Sequence, residues 1–176
     1  MFKKIFQFLQ PDPPIPQETD KTKLDKDYKK YRWSVFISTT LGYGIYYICR
    51  LSINVIKKPI IDEGLFTESQ LGIIGSALFF SYAAGKLVNG FIADHINIRR
   101  FMATGLLVSA LVNLILGSQS LFIIFIILWG INGWFQAIGS NTSVVGLVRW
   151  FSKKERGLYY GFGSASLSMG EVFTFT

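Results

Sequence analysis

The sequence predicts an all-α membrane protein, and three observations carry that reading. Half of the 176 residues are hydrophobic and only 16% are charged, against the roughly 25% usual in soluble domains. The mean hydropathy is +0.36. The stretch Phe101–Val148 contains no Asp, Glu, Lys, Arg or His. About 20 apolar residues in a helix cross a bilayer, so that stretch alone is long enough for two crossings.

In chain order, residues 1–33 read as a cytoplasmic N-terminal leader, partly disordered around Pro11 to Pro16. The leader has no apolar region of signal-peptide length and no small-residue cleavage site. Residues 34–176 read as a partial transmembrane bundle of about five helices, with spans at about 34–56, 71–93, 101–117, 121–148 and 157–176. Basic residues alternate between the turns. The leader holds Lys3, Lys4, Lys21, Lys23, Lys26, Lys29, Lys30 and Arg32. Arg99 and Arg100 follow the second block, and Arg149, Lys153, Lys154 and Arg156 follow the fourth, while the opposite side has only Lys57 and Lys58. Cytoplasmic loops carry the excess of Lys and Arg, which predicts a multi-pass protein of the inner or plasma membrane with a cytoplasmic N-terminus. The net charge of +7 is then a topology signal. It does not point to nucleic acid, because the cations sit in short loops between spans and not on one exposed face.

Two cations lie inside spans. The run "LGYGIYYICRLSINVI", Leu41–Ile56, surrounds Arg50, and Lys86 sits in the middle of the second block. A central Arg or Lys costs roughly 2.5–3.5 kcal/mol on insertion scales, so it faces a cavity or a partner unless it snorkels to the interface. Arg50 is near enough to one end of its span for snorkelling to stand as the alternative. Its helical neighbours favour the cavity. Tyr43, Tyr47, Arg50 and Asn54 are spaced i, i+4, i+7, i+11, one stripe of polar tips, and Tyr82, Lys86 and Asn89 repeat the pattern. Guanidinium, ammonium and phenolic hydroxyls around one cavity suit an anion with phosphate-like oxygens. Glu171, the one intramembrane acid, is the alternative: a buried counter-ion for those cations.

Other features are plainer. Cys49 is the sole cysteine, which rules out a disulfide framework and a Cys-based metal site and leaves a packing role. Gly85, Gly90, Gly130, Gly133 and the pair Gly157-x-x-x-Gly161 predict close helix packing. No nucleophile–base arrangement or metal-ligand cluster is present, and the only histidine, His95, falls in a loop, so neither an enzyme nor a cofactor is indicated.

The run "GKLVNGFIADHINIRRFMATGLLVSALVNLILG", with "WGINGWFQ", "RWFSKKERG", "YRW" and "LGIIGS", all in order, resembles the organophosphate:phosphate antiporter family of the major facilitator superfamily. The likeness extends from about Tyr31 to the last residue. It implies the N-terminal helical bundle of a twelve-span transporter whose C-terminal half is the missing partner, this chain being truncated within its fifth span. It also implies that Arg50 holds substrate phosphate, that Lys86 lines the same path, and that Tyr43, Tyr47 and Tyr82 line the pocket. Gly90, Asp94, Asn97, Arg99 and Arg100 resemble the superfamily's loop between the second and third helices. That likeness makes Asp94, Arg99 and Arg100 a cytoplasmic gate, with His95 replacing a usual cation and Asn97 a usual glycine. Two further departures are Leu167, where the family commonly has histidine, and "GSNT" at Gly139–Thr142 in place of "GWPP". The implied function is exchange of a phosphorylated sugar or other organophosphate for inorganic phosphate across the lipid bilayer. A hexose-phosphate sensor of the same family and a non-functional truncated remnant are the alternatives.

Overall fold

A computed structural model describes residues 7–13 and 20–175, apart from the side chains of residues 166–167, 169–170 and 173–175. Five long helices account for most of them: α1 Lys21–Asp62, α2 Glu68–His95, α3 Ile98–Leu116, α4 Phe122–Trp150 and α5 Arg156–Phe175. By length and composition α2, α3 and α4 are apolar enough to cross a membrane.

The ends follow from local chemistry. Asp20 caps α1 by accepting a hydrogen bond from the Thr22 amide at 2.9 Å. The helix therefore begins at Lys21, well before the Ser34 boundary expected for the first span, and the second half of the leader is continuous with it. At the other end Gly64 takes φ 69°, which glycine adopts without steric cost. Leu65 and Gly64 donate back to the Ile60 and Ile61 carbonyls at 3.0 Å each, the Schellman closure. Thr67 and Gln70 form a capping box at the start of α2. Asn97 caps α3 by accepting from the Arg99 and Arg100 amides. This gives a physical reason for Asn97 where a glycine was the pattern: the position starts a helix and needs a side-chain acceptor.

The middle helix of the bundle is α4, which touches all the others and is most closely joined to α2. Glycine makes that approach possible. A Cβ on Gly133 would overlap the Leu78 carbonyl oxygen and lie 3.0 Å from the Leu78 carbonyl carbon and Cα, and one on Gly85 would lie 3.0 Å from the Trp134 carbonyl oxygen. Gly105 and Gly139 leave room for buried Tyr46, whose hydroxyl donates to the Met102 carbonyl at 2.8 Å. By contrast, nothing lies within 4 Å of a Cβ at Gly157 or Gly161, so the expected small-residue packing is not found there among the described residues.

Polar groups also join the helices. Ser109 donates to Asn132 at 2.6 Å, and Gln136 donates to Ser109 at 2.8 Å and to the Tyr46 carbonyl at 3.0 Å. Inside a bilayer such bonds hold helices together where the hydrophobic effect offers no driving force between them. Leu87, Phe80, Leu114 and Phe91 are among the side chains left outermost, as expected of a surface that faces lipid.

Candidate functional site

The site is built from α1 and α2, with α4 behind them. Residues one turn apart on a helix share a face, so Tyr43, Tyr47 and Arg50 line one side of α1 and Tyr82 and Lys86 one side of α2. The structure brings these two sides together. The Arg50 guanidinium carbon lies 4.6 Å from the centre of the Tyr82 ring, 5.5 Å from that of Phe79 and 5.8 Å from that of Tyr47. Lys86 Nζ lies 5.5 Å from the same Tyr82 ring. Tyr43 and Tyr47 meet edge to face at 5.6 Å, and the hydroxyls of Tyr43 and Tyr82 interact with each other and with Ser140 of α4.

The electrostatic content is simple. Arg50 is half-buried and Lys86 is exposed. Among the described residues no carboxylate pairs with either. Glu171 is exposed, and the expectation that it is their counter-ion finds no ion pair in support. Aromatic faces attract a cation with about 0.5–2 kcal/mol, less than a carboxylate in a dry site, so the cluster keeps a net positive charge.

Two members of the expected stripes go elsewhere. Asn89 is buried and donates to the Trp134 carbonyl at 3.0 Å, joining α2 to α4. Asn54 is exposed and lines a separate groove with Lys57 and Glu68. Three contributors had not been singled out: Phe79, Ser140, and Asn141, which donates to the Lys86 carbonyl at 2.9 Å. Ser140 and Asn141 belong to the "GSNT" segment, so that departure supplies polar contacts to both α1 and α2. The Leu167 side chain lies outside the described residues.

The loop between α2 and α3 is held by contacts outside its own turn. Asp94 is exposed, and no ion pair to its carboxylate is present among the described residues. Arg100 turns to the leader, donating to Asp12 at 2.7 Å and to the Phe8 carbonyl at 3.0 Å. Asn97 donates to the second Asp12 oxygen at 2.8 Å, and its amide donates to the Leu9 carbonyl at 2.9 Å. Arg149, at the end of α4, takes the Ala93 and Asp94 carbonyls of α2. Arg99 is exposed beside a groove lined by Ser34, Val35 and Met102. Arg100 thus has the leader as its neighbour, and Arg99 the groove beside α1.

A second clasp ties α1 to the turn between α4 and α5. Arg32 donates to Glu155 at 2.6 Å and lies 4.3 Å from the centre of the Phe151 ring. The Ser152 hydroxyl and the Arg32 guanidinium hold the Glu155 carboxyl below its usual range, and Glu155 in turn raises Arg32. Tyr28 adds a hydrogen bond to the Trp150 carbonyl at 2.9 Å.

Comparison with known proteins adds a sequence-wide likeness. The profile of the Major Facilitator Superfamily matches residues 39–176. A probable hexose phosphate transport protein of Chlamydia pneumoniae is 38% identical over 93% of this chain and 36% of its own length. The membrane sensor protein UhpC of Salmonella typhimurium is 31% identical over 94% of this chain and 38% of its own length. The glycerol-3-phosphate transporter of Haemophilus influenzae is 32% identical over 94% of this chain and 35% of its own length. The chain therefore spans a little over a third of the length of the curated relatives it matches.

Proposed function

The chain belongs to the Major Facilitator Superfamily, a family of membrane transporters and not of enzymes, and on that premise we propose that it binds the phosphate of a phosphorylated sugar or related organophosphate. The observation that carries the reading is the pair Arg50 and Lys86, both leaning on Tyr82 with no carboxylate partner among the described residues. A phosphate ester supplies the missing negative charge, and the hydroxyls of Tyr43, Tyr47 and Tyr82 complete its hydrogen bonds. The relatives named as hexose phosphate and glycerol-3-phosphate transporters are consistent with that chemistry.

In this reading α1 and α5 cross the bilayer as well. Their lower apolarity reflects the polar residues that face the cavity. The N-terminus lies in the cytoplasm, where the basic turns collect, and transport proceeds by exchange with inorganic phosphate at the inner membrane. The α2–α3 loop, with Asp94, Arg99 and Arg100, acts as the cytoplasmic gate, held in this conformation by Asp12. The similarity to a membrane sensor protein supports a second reading, in which the same site detects the ligand without moving it.

The test is binding of radiolabelled inorganic phosphate to the purified chain in lipid nanodiscs, compared with Arg50→Lys. Lysine keeps the charge and loses the two-pronged guanidinium contact, so affinity is expected to fall about tenfold, the equivalent of one charge-assisted hydrogen bond. Unchanged affinity would remove Arg50 from the site.

A further inference from the structure

Residues 21–33 of α1 run ahead of the apolar part of the helix, and two contacts fix how they are turned. Tyr28 and Arg32, one turn apart on one face, bond to the Trp150 carbonyl at 2.9 Å and to Glu155 at 2.6 Å. Another face is thereby turned outward, about 130° round the helix. It holds Lys26, Lys29, Lys30 and Trp33, spaced i, i+3, i+4, i+7, and all four are exposed.

This stripe changes character along its length. Beyond Trp33 the same face continues as Ile37 and Leu41, 51% and 56% exposed. Cations, a tryptophan and aliphatic side chains therefore follow one another on one open stripe. That is the order of chemistry along an anionic phospholipid: phosphate, ester region, acyl chain.

The depths agree as well. At 1.5 Å per residue Lys30 and Lys29 lie about 4–6 Å beyond Trp33, and Lys26 about 10 Å. Tryptophan favours the boundary between hydrocarbon and headgroups, and the headgroup layer is about 5–7 Å deep on each side. Lysine stems bend along apolar surface to set their ammonium groups at the polar level. Trp33 is braced by Phe36 and Tyr159, ring centres 5.8 Å away in each case, while half of its surface stays open.

The charge on the stripe is uncompensated. Among the described residues no ion pair reaches Lys26, Lys29 or Lys30. Neighbouring carboxylates are engaged elsewhere: Glu155 with Arg32 and Ser152, Asp20 with the Thr22 amide, Asp12 with Arg100 and Asn97. Asp25 and Asp27 flank the stripe, each about 100° round the helix from Lys26. A juxtamembrane lysine favours anionic lipid by about fivefold in affinity. A free phosphate or an acidic protein would meet the lysines and leave Trp33, Ile37 and Leu41 unused.

We infer that the outward stripe of α1 binds an anionic phospholipid of the surrounding bilayer, with its phosphate at Lys26, Lys29 and Lys30 and its acyl chain over Trp33, Ile37 and Leu41. The inference is independent of the phosphate site at Arg50 and rests on the reading that α1 crosses the bilayer.

Native mass spectrometry of the full chain in detergent, titrated with phosphatidylglycerol or phosphatidylcholine, resolves individual bound lipids and measures the affinity of the first. Wild type is expected to prefer phosphatidylglycerol about tenfold, and Lys26→Gln/Lys29→Gln/Lys30→Gln to bind the two lipids within about twofold of each other. Lys57→Gln/Lys58→Gln, at the other end of α1, is expected to keep the preference. Equal affinities in wild type, a preference that survives the triple variant, or one lost in the Lys57 and Lys58 variant overturns the inference. Displacement of phosphatidylglycerol by inorganic phosphate overturns it too, since the acyl chain would then contribute nothing. If the triple variant does not fold, wild type at high salt decides. Screening of exposed charges is expected to abolish the preference, and its persistence overturns the inference. The crossing of α1 is read separately in nanodiscs, with Cys49→Ser as background. Lys26→Cys is expected to react with a membrane-impermeant thiol reagent and Ile37→Cys to resist it. Equal reactivity at the two positions overturns the crossing of α1, and the lipid site with it.

Discussion

Gly133→Ala tests whether backbone contact holds α2 to α4. The new Cβ would overlap the Leu78 carbonyl oxygen and sit 3.0 Å from the Leu78 carbonyl carbon and Cα. Carbon atoms rest at about 3.5–4.0 Å, so α2 must retreat by roughly 0.5–1 Å, and a gap of that size forfeits a quarter to a half of each dispersion contact along the seam. Backbone has no rotamer by which to move aside. The Asn89 bond to the Trp134 carbonyl, now 3.0 Å, stretches to about 3.5–4 Å and ceases to be a hydrogen bond. Overpacking of this kind costs about 1–3 kcal/mol, and an interhelical bond in a membrane contributes about 0.6 kcal/mol. Alanine returns about 1 kcal/mol of helix propensity. The net expectation is a loss of about 1–2 kcal/mol, the sum of those terms. Gly161→Ala gains the same propensity and meets nothing within 4 Å, so it is the control. Circular dichroism during titration of sodium dodecyl sulfate into mixed micelles reads both. Equal midpoints for the two variants would refute the backbone-contact account.

Two further predictions follow from the charged groups. Cysteine at position 86 is expected to react with a membrane-impermeant thiol reagent and cysteine at 87 is not, although Leu87 is 80% exposed on the protein surface, because the proposed site puts 86 towards water and 87 towards lipid; equal reactivity counts against a cavity-facing Lys86. The Glu155 carboxyl is held below its usual range by Ser152 and Arg32, so its contribution to stability is present above its unfolded pKa of about 4.3 and is lost as pH falls through the lower folded value. The thermal midpoint of the wild-type chain should therefore drop more steeply below about pH 4 than that of Glu155→Gln, and parallel curves would show that the Arg32 clasp adds nothing.

The helices were legible in the sequence because their apolar blocks are bounded by charge: α2, α3 and α4 begin and end within a few residues of those bounds. The start of α1 was not, because Lys21–Trp33 is polar and lacks an apolar period, while its Asp20 cap is a single side chain beside a proline-rich stretch. In the site, the spacing of Tyr43, Tyr47 and Arg50 on one helix and of Tyr82 and Lys86 on another indicated the shared faces. The same spacing misplaced Asn89, since an asparagine in a span reads alike whether it faces a cavity or bonds a neighbouring backbone; only the position of Trp134 decides. The pairing of Arg100 with Asp12 was hidden by sequence distance, 88 residues apart along the chain. Glycines were legible in part. The close packing expected at Gly85 and Gly133 is found there, against neighbouring backbone, whereas the Gly157–Gly161 spacing meets nothing within 4 Å, because spacing within one helix does not say which face a neighbour occupies.

The uninterrupted run of α1 has a mechanical consequence. At 1.5 Å per residue, the 29 steps from Lys21 to Arg50 make an arm of about 44 Å, longer than the hydrocarbon core is thick. A rotation of about 5° at the level of Arg50 would sweep the Lys21 end through about 4 Å on an arm of that length. Yet the arm is not free to swing alone. Tyr28 is bonded to Trp150 and Arg32 to Glu155, so the far end moves together with the turn between α4 and α5. Any displacement at Arg50 would thereby be magnified at the Lys21 end and delivered to the base of two other helices at once, as a crank drives a plate.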